Sequence, residues 1–545
     1  MPFGPADRAS RLSLLASTPF DMLIVGGGIV GVATARDAAM RGFKVACVEK
    51  EDYAYGTSSR SSKLIHGGLR YLEQANFKLV FEGTHERSTL GELAPHLVRP
   101  IQFLVPVYTG SKHGRLALGM GLWLYDALAG RHKPGKHSRH APAELGELEP
   151  LLDKKDLNGG ALYYDCMTDD ARLCVENAVG AHEAGAVMLT RTSFMRPVRG
   201  EGDVVVGAIV HDHETGKDIE VSAKSIVHCA GPWTDEVLRR SGDTAGMIRT
   251  SKGAHLCFAH DRLPLRYAVV MSAVRDGRVV FAIPRGRVTL VGTTDTDYDG
   301  DPDDVCASKD DVDYLIETVG RYFPRSAITR ADVRATYAGL RPLIRDNSEN
   351  PYDTSREHTV VARPDRSVTI GGGKYTTYRR IADDVVKATM GALAIPTRQR
   401  PKCTTKTAPL PGALGLEDPS WAEAQKARLS ALGIAPDVQQ YVLGAYGTRV
   451  DRLGDGLTER LVEGFPFTLA EIDHAVLEED ATAIDDVLVR RIPIFFEVPD
   501  QGLECLDKVA DRMKALLGWH EATRREQIDH YRGVVARSRR WKSEA

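Results

Sequence analysis

Short apolar runs and amphipathic segments alternate over the first fifty residues of the chain. Residues 21–25 form an apolar run that ends at glycines, which is typical of a buried parallel strand. Small and apolar side chains recur along residues 29–41 and predict a helix, with Gly42 at its end. Residues 43–49 predict a second strand. The order strand, helix, strand indicates one βαβ unit.

The rest of the chain contains a second α/β stretch, an antiparallel region and a helical end. Alternating segments over 256–291 indicate an antiparallel sheet, and prolines over 396–411 indicate a linker. Residues 1–18 show little pattern, and we expect a loosely packed leader. The further expected strands are 186–190, 204–211, 219–221, 225–229 and 368–370, and the further expected helices are 171–184, 378–390, 471–488 and 506–517.

Length, charge and cysteine content narrow the class of protein. The 545 residues are enough for two or three domains, and the net charge of -3 gives no reason to expect a nucleic-acid partner. The 8 cysteines include no CxxC pair and no metal-ligand spacing, which favours reduced thiols in the cytosol and no metal. The first residues lack the apolar core of a secretory signal, and no apolar run is long enough to predict a membrane-spanning helix.

The turn between the first strand and the first helix carries a dinucleotide-binding motif. Gly26, Gly28 and Gly31 have G-x-G-x-x-G spacing, which permits a tight turn and a close approach of the backbone to a pyrophosphate. The N-terminus of the helix then faces the phosphates. Glu49, at the end of the second strand, can accept hydrogen bonds from ribose hydroxyls and would repel the 2′-phosphate of NADP.

FAD is favoured over NAD by the segment that follows the second strand. Further regular βα units are typical of NAD dehydrogenases, whereas residues 55–62 form a long polar segment. Its hydroxyl and backbone N–H groups are suited to line a flavin and its phosphates. The segment continues directly into residues 63–72, whose pattern is that of an ordered structure rather than of a flexible linker.

The segment Gly56-Thr-Ser-Ser-Arg-Ser-Ser-Lys-Leu-Ile-His-Gly-Gly-Leu-Arg-Tyr-Leu72 resembles the signature of FAD-dependent, quinone-linked glycerol-3-phosphate dehydrogenases. The resemblance extends over residues 18–535. Two segments depart from the family pattern: His228-Cys229 at the end of a strand, and residues 492–496 after an arginine pair. Further matching segments are 164–173, 230–233, 292–295, 337–343, 372–379, 485–491 and 518–519.

The resemblance implies an α/β fold of the D-amino-acid-oxidase type. It has a Rossmann-type FAD-binding domain, a mixed and mostly antiparallel substrate domain, and a helical C-terminal domain. The predicted boundaries are 18–95, 160–248 and 345–395 for the FAD-binding domain, 96–159 and 249–344 for the substrate domain, and 400–535 for the C-terminal domain.

The motif residues and the resemblance together give a set of candidate FAD contacts. No Cys or His occupies a linkage motif, so we expect FAD to bind non-covalently. Glycines 371–373 should also place N–H groups near the flavin pyrimidine, where they would stabilise an anionic reduced flavin. The candidate contacts are Gly26, Gly28, Gly31, Glu49, Thr57, Ser58, Ser59, Ser62, Lys63, His66, Gly67, Ala230, Gly231, Gly372, Gly373, Lys374 and Thr376.

The predicted substrate is sn-glycerol 3-phosphate, whose phosphate requires fixed cations. The resemblance implies that Arg70, Tyr71, His255, Arg341, Arg356 and Lys374 line the substrate pocket. Oxidation of the secondary alcohol also requires a group that removes the hydroxyl proton. His66 and His255 are the two candidates for this base, with Arg341 and Lys374 stabilising the developing alkoxide. Which arginines hold the phosphate stays open at this stage.

The electron acceptor and the location are implied by the resemblance rather than by a motif. We expect a membrane quinone as acceptor, a homodimer as one allowed assembly, and a cytoplasmic protein bound peripherally to the inner face of the cell membrane. The stretch 115–125, with the basic run 131–140, could lie on an anionic membrane or pack as an ordinary helix. The alternatives to a quinone-linked dehydrogenase are an oxidase that reduces O2 to H2O2, another flavin oxidoreductase of the same fold, a non-catalytic flavin sensor, and an NAD enzyme.

Overall fold

The computed structural model describes residues 3–72, 76–243, 246–345 and 357–544. Its strands are β1 (Met22–Val25), β2 (Val45–Val48), β3 (Leu64–Ile65), β4 (Arg99–Tyr108), β5 (Ser138–His140), β6 (Leu157–Met167), β7 (Val187–Leu189), β8 (Thr192–Arg199), β9 (Val205–Asp212), β10 (Lys217–Ser222), β11 (Ile226–His228), β12 (Ile248–Ala259), β13 (Ala268–Ser272), β14 (Val279–Arg285), β15 (Val288–Gly292), β16 (Thr296–Asp297), β17 (Val333–Ile344), β18 (His358–Ala362) and β19 (Val368–Gly372).

The helices lie between these strands and beyond the last of them. They are α1 (Arg8–Ser17), α2 (Ile29–Met40), α3 (Phe77–Leu93), α4 (Arg115–Ala129), α5 (Pro142–Leu148), α6 (Asp170–Glu183), α7 (Thr234–Arg240), α8 (Lys309–Tyr322), α9 (Tyr378–Ala392), α10 (Trp421–Ala431), α11 (Pro436–Tyr446), α12 (Leu469–Glu478), α13 (Ile494–Glu497), α14 (Leu506–Leu517) and α15 (Glu521–Ser538). No helix in the described ranges has the length and apolar character needed to cross a bilayer.

A six-stranded sheet in the order β18-β19-β11-β1-β2-β7 carries the glycine motif. All neighbouring strands are parallel except β18, which is antiparallel to β19. Strand β1 lies near the middle, buried along its whole length, because its residues are apolar on both faces. Helices α2, α6 and α9 pack around it, and the small residues Ala35 and Ala38 allow α2 to approach closely.

A second, ten-stranded sheet carries two of the candidate substrate residues, His255 and Arg341. Strands β12 and β17, each of 12 residues, pair in antiparallel orientation. In that pair Ser251 lies opposite Arg341 and His255 lies opposite Tyr337, while β15 places Gly292 on the other side of His255. Apolar residues of this sheet share a core with the C-terminal helices, so the two regions pack as one body.

The N-terminal leader expectation was wrong. Helix α1 is packed against the FAD-binding region, with Arg8 and Arg11 buried. Arg8 pairs with Asp212 and Arg11 pairs with Asp480. Leu15 is also buried, but because two of the three buried residues are charged, hydrophobic periodicity does not reveal this helix.

The expected helix 471–488 was also partly wrong. Helix α12 ends at Glu478, Asp480 has the positive φ of 58°, and a π-helical turn follows over Asp486–Arg491. The helix α14 has the bounds that the sequence predicts. The domain boundaries themselves stay predictions.

Candidate active site

The glycine motif forms the turn from β1 into α2. Gly26 has φ +115°, which L side chains rarely adopt, and a Cβ there would lie 2.5 Å from the carbonyl oxygen of Cys229. Gly28 is the N-cap of α2 and has no side chain to cover the N–H groups of the first turn. The Ile29 N–H donates to Ser58 Oγ at 2.9 Å, which ties this turn to the polar segment after β2.

Glu49 lies at the end of β2 with its carboxylate against the glycine turn. One oxygen accepts from the Gly27 N–H at 2.6 Å, and the other accepts from the Glu51 N–H at 2.9 Å. Burial raises the pKa of Glu49, and the two backbone N–H donors offset part of that rise. The carboxylate therefore shapes the cradle, and its predicted bond to a ribose hydroxyl stays a prediction.

The polar segment after β2 is pinned at several points. Thr57 Oγ1 donates to the Leu340 carbonyl at 2.5 Å, and Ser59 is buried. Lys63 donates to the Ser59 carbonyl at 3.1 Å and forms a buried ion pair with Asp170. In this structure the Lys63 ammonium holds the segment, and its predicted contact to a flavin stays a prediction.

These residues fit a bound FAD. Side chains at Gly26 or Gly31 would collide with backbone, since a Cβ on Gly31 would lie 1.9 Å from the Gly26 carbonyl oxygen. The turn is therefore built to keep space and N–H groups for a pyrophosphate beside a helix N-terminus. Gly26, Gly28 and Gly31 would hold the phosphates and Glu49 the ribose, while Ala230 and Gly231 follow β11, next to β1.

His255 lies in a buried pocket of strand β12. Its Nε2 and Ser62 Oγ are 2.9 Å apart, and its ring stacks on Tyr337 with 4.7 Å between centroids. A Cβ on Gly292 would lie 2.1 Å from the ring, so that glycine makes the room that the imidazole occupies. Burial lowers the pKa of His255 well below its ordinary value of 6.5, and the positive charges of Arg341 and Lys63 lower it further. The imidazole is therefore neutral at pH 7.

We expect the contribution of His255 to kcat/KM to persist below pH 6.5. A base whose pKa is lowered stays unprotonated, and so active, until the pH falls through that lowered value. The substrate phosphate itself titrates in this range, with a second pKa of about 6. The measurement is the ratio of wild-type kcat/KM to that of His255→Asn from pH 8 to pH 5, because the phosphate titration cancels in it. A ratio that has halved by pH 6.5 would contradict the expectation.

Arg341 is held by polar groups in the connection between β15 and β16. Its guanidinium contacts Asp295 at 3.1 Å, Thr293 Oγ1 at 3.0 Å and the Thr294 carbonyl at 3.2 Å. A Cβ on Gly253 would lie 2.6 Å from Nη2 of Arg341, so that glycine leaves the room the fork fills. The planar donor set is thus fixed in one orientation before any ligand binds.

Two further candidate cations surround the ring of Tyr71. Lys374 Nζ lies 3.4 Å from the ring centroid, and Arg70 Cζ lies 5.4 Å from it. Both contacts have the geometry of cation–π interactions. Lys374 follows Gly372 and Gly373, which have positive φ values of 72° and 95°. Arg356, the remaining candidate, lies outside the described residues.

His66 and Gly67 are fixed from two sides. The His66 N–H donates to Thr376 Oγ1 at 3.1 Å, and Thr376 Oγ1 donates to the His66 carbonyl at 3.1 Å. The Gly67 N–H lies 3.0 Å from Tyr125 Oη and 3.1 Å from Asp165 Oδ1. The structure therefore brings His66, Gly67 and Thr376 together, as the candidate list anticipates, while their roles toward a ligand stay predictions.

Three aspartates were missed as positioning residues. Asp170 accepts from Ser61 and Lys63, Asp165 accepts from Gly67 and pairs with Arg87, and Asp295 pairs with Arg341. Each belongs to a segment that matches the family pattern, which was the only signal for them. Spacing along the sequence says nothing of which distant cation each one faces.

The unusual His228 is accommodated by neighbouring polar groups. It is buried at the end of β11, with Nδ1 3.1 Å from Thr369 Oγ1. Burial, with a smaller contribution from the charge of Arg363, lowers its pKa to about 4. A neutral histidine therefore fits this position within the sheet.

One cluster of the described residues has the donor types of a metal site. Ligand atoms of Asp37, Asp383 and Cys403 lie within 4.8 Å of one another. The Arg41 guanidinium pairs with both carboxylates. The guanidinium therefore already balances the charge of the two carboxylates.

Two family models match most of the chain. The model described as FAD dependent oxidoreductase matches residues 21–379, and the model described as C-terminal domain of alpha-glycerophosphate oxidase matches residues 403–524. "Glycerol-3-phosphate dehydrogenase 2" of Mycobacterium tuberculosis is 37% identical over 541 residues, covering 98% of this chain and 91% of the relative. "Aerobic glycerol-3-phosphate dehydrogenase" of Staphylococcus aureus is 36% identical over 534 residues, covering 95% and 94%.

Solved structures agree with the predicted fold. The glycerol-3-phosphate dehydrogenase from Bacillus halodurans complexed with FAD has a TM-score of 0.82 at 28% identity, covering 98% of each chain. Glycine oxidase from Geobacillus kaustophilus has a TM-score of 0.52 at 19% identity, covering 69% of this chain and 95% of the other, and supports the fold alone. The FAD-binding fold of the D-amino-acid-oxidase type with a helical C-terminal domain is confirmed.

Proposed function

Since the chain belongs to the family of FAD-dependent glycerol-3-phosphate dehydrogenases, we propose that it oxidises sn-glycerol 3-phosphate to dihydroxyacetone phosphate and passes the electrons to a membrane quinone. The observation that carries this proposal is the buried, neutral His255 beside the fixed guanidinium of Arg341 on the sheet that adjoins the FAD-binding domain. FAD is the cofactor of the family, and when bound it accepts the hydride that leaves C2 of the substrate.

Of the two candidate bases, we propose His255. The base must take the proton of the C2 hydroxyl as the hydride leaves, so it must be neutral and have an open acceptor atom. His255 Nδ1 is buried and has no hydrogen-bond partner among the described residues, while Nε2 is engaged with Ser62. We assign the Nε2–H tautomer, in which Nε2 donates to Ser62 and Nδ1 accepts the proton.

Both cations were expected at the developing alkoxide; we propose instead that Arg341 binds the substrate phosphate and that Lys374 alone faces the alkoxide. The phosphate carries about -1.5 to -2 charges at pH 7 and needs a cation that it can bind in a bidentate manner. The fork of Arg341 meets that need, because its orientation is already fixed by Asp295 and Thr293. Lys374 follows two glycines and would stabilise the developing alkoxide as the proton leaves.

The proposal is tested by anaerobic titration of the purified protein with sn-glycerol 3-phosphate. We expect the visible flavin absorbance to bleach with this substrate and not with glycerol or amino acids. A flavoprotein that does not bleach would overturn the substrate while leaving the fold. Aerobic turnover without added quinone then separates the acceptors: little peroxide supports a quinone-linked dehydrogenase, and one H2O2 per substrate favours an oxidase.

We also propose that the protein binds peripherally to the inner, cytoplasmic face of the cell membrane. Support comes from helix α4, on which Leu116, Met120 and Trp123 are 78%, 67% and 66% exposed. Phe77 and Phe81 of the neighbouring helix α3 are exposed as well. Apolar side chains beside the basic run 131–140 suit the interface of an anionic bilayer.

Replacing Leu116, Met120 and Trp123 together with serine should abolish most binding to vesicles that contain anionic lipid. The change removes the apolar side chains that would enter the interface and leaves the basic residues in place. Flotation of the protein with vesicles measures the bound fraction. The matched control is Leu414→Ser with Leu432→Ser, two exposed leucines elsewhere. Equal binding by wild type and the triple variant would refute α4 as the contact surface.

A further inference from the structure

The loop after Glu49 is held in place by ion pairs with the C-terminal domain. Asp52 is fully buried, and its carboxylate accepts from Arg490 Nε at 2.6 Å and from Arg491 Nη1 and Nη2, both at 2.8 Å. Both arginines lie in the π-helical turn Asp486–Arg491, more than 400 residues away along the chain. Arg491 therefore makes a bidentate pair with Asp52, the geometry that fixes a carboxylate most tightly.

The two arginines are themselves held by the C-terminal domain. Arg490 Nη2 pairs with Asp485 at 2.7 Å and also pairs with Asp486, and Arg491 Nη2 donates to the Glu479 carbonyl at 2.9 Å. Because both guanidiniums are engaged on their own side, they form a rigid support rather than mobile surface charges.

The segment that contains Asp52 is the one that contacts the glycine turn. Glu49, three residues before Asp52, accepts from the Gly27 N–H. Two residues after Asp52, the Ala54 N–H donates to the Gly27 carbonyl at 3.2 Å. Ser58, further along, accepts from the Ile29 N–H at the start of α2. A shift of Asp52 would therefore move the residues that shape both sides of the turn.

The buried ion pairs of Asp52 are stable only while the carboxylate and its arginines are all present. Burial would raise the pKa of Asp52, but Arg491 and Arg490 hold it below its usual value. Removing one partner leaves an uncompensated buried charge, which is costly in any protein. Among the described residues, the guanidiniums of Arg172, Arg191, Arg490 and Arg491 pair in one network with the carboxylates of Glu51, Asp52, Glu479, Asp485 and Asp486.

We propose that the C-terminal helical domain serves to retain FAD: Arg490 and Arg491 act as positioning residues that hold Asp52, and through it the segment that presents Glu49 and Ser58 to the cofactor. Loss of these ion pairs weakens FAD binding and leaves the substrate specificity of the FAD-loaded enzyme unchanged.

The test is FAD affinity, measured on apo-protein by quenching of flavin fluorescence. Arg491→Lys keeps the charge and loses the fork, and Asp52→Asn keeps the shape and loses the charge. We expect each to raise the Kd for FAD at least tenfold. The matched control is Arg449→Lys, which alters another buried cross-domain arginine paired with Glu183 at 2.8 Å and Glu478 at 3.2 Å. We expect its Kd to stay within twofold of wild type.

Hydrogen exchange of the apo forms separates positioning from a general loss of stability. Arg491→Lys and Asp52→Asn should speed exchange in residues 50–63 more than in β12 or β17, and Arg449→Lys should not. Wild-type Kd values in both variants overturn the proposal. So does an equal loss of affinity in the Arg449 control, since that assigns the effect to domain docking in general. Because affinity for FAD is measured directly, the result does not depend on the substrate proposed above.

Discussion

Arg341→Ala should lower kcat/KM for sn-glycerol 3-phosphate by about 30-fold to several thousand-fold. Truncating one partner of a buried, hydrogen-bonded charge pair costs about 2–5 kcal/mol, and each 1.4 kcal/mol corresponds to about tenfold. Two losses are expected if Arg341 holds the substrate phosphate as proposed. The phosphate loses its bidentate donor, and Asp295 keeps a buried carboxylate without its arginine. Steady-state kinetics with saturating acceptor give the ratio.

Two comparisons make the result specific. Arg341→Lys should also be poor, because lysine is a point charge and cannot make the paired contacts to Thr293 and Asp295. Arg262→Ala removes an exposed arginine that pairs with Asp332 on the same sheet region and should leave kcat/KM within about twofold, as expected of a surface pair. Near wild-type kcat/KM in Arg341→Ala would remove Arg341 from the substrate site.

Gly31→Ala should abolish stable FAD binding. A Cβ at this position would lie 1.9 Å from the Gly26 carbonyl oxygen and 3.4 Å from Cys229 Cβ. Because the first of these is backbone in the turn itself, α2 must move away from β1 and carry its N–H groups from the pyrophosphate position. Forced overpacking of this kind costs about 1–3 kcal/mol or more. Absorbance after gel filtration measures retained FAD, and denaturant unfolding measures stability.

The matched control is Gly320→Ala in helix α8. A Cβ there would meet no atom within 4 Å, so the variant should retain FAD and gain about 0.5–1 kcal/mol in the free energy of unfolding, the usual gain of Gly→Ala in a helix. Full FAD retention by Gly31→Ala would mean that the turn can yield, contrary to the close contact described above.

The sequence predicts those parts of the molecule that are set by local pattern. Residues 21–49 give the βαβ unit and its cradle, because apolar runs, glycine spacing and one acidic residue act within thirty positions. Helix α14 is predicted to the residue for the same reason, since its apolar stripe is regular. In both cases the spacing of a few side chains is enough to define the element.

Long-range pairing is where prediction from the sequence ends. Nothing near Asp52 indicates that its partner is Arg491, and nothing near Lys63 indicates that its ammonium is taken by Asp170. Helix α1 was missed because two of its three buried residues, Arg8 and Arg11, are arginines whose carboxylates lie far along the chain. Buried charges need partners, but the sequence alone does not say which ones.

The glycines that face Arg341 and His255 have a consequence for how the pocket can change during evolution. Gly253 and Gly292 contribute empty space, and a gained methyl group would collide with the guanidinium in the first case and with the imidazole in the second. A lost charge can be restored by a cation at a neighbouring position, whereas a side chain added at either glycine position cannot be compensated in this way. In a saturation library selected for growth on glycerol, the two glycines should therefore be as intolerant of replacement as the charged residues that they accommodate.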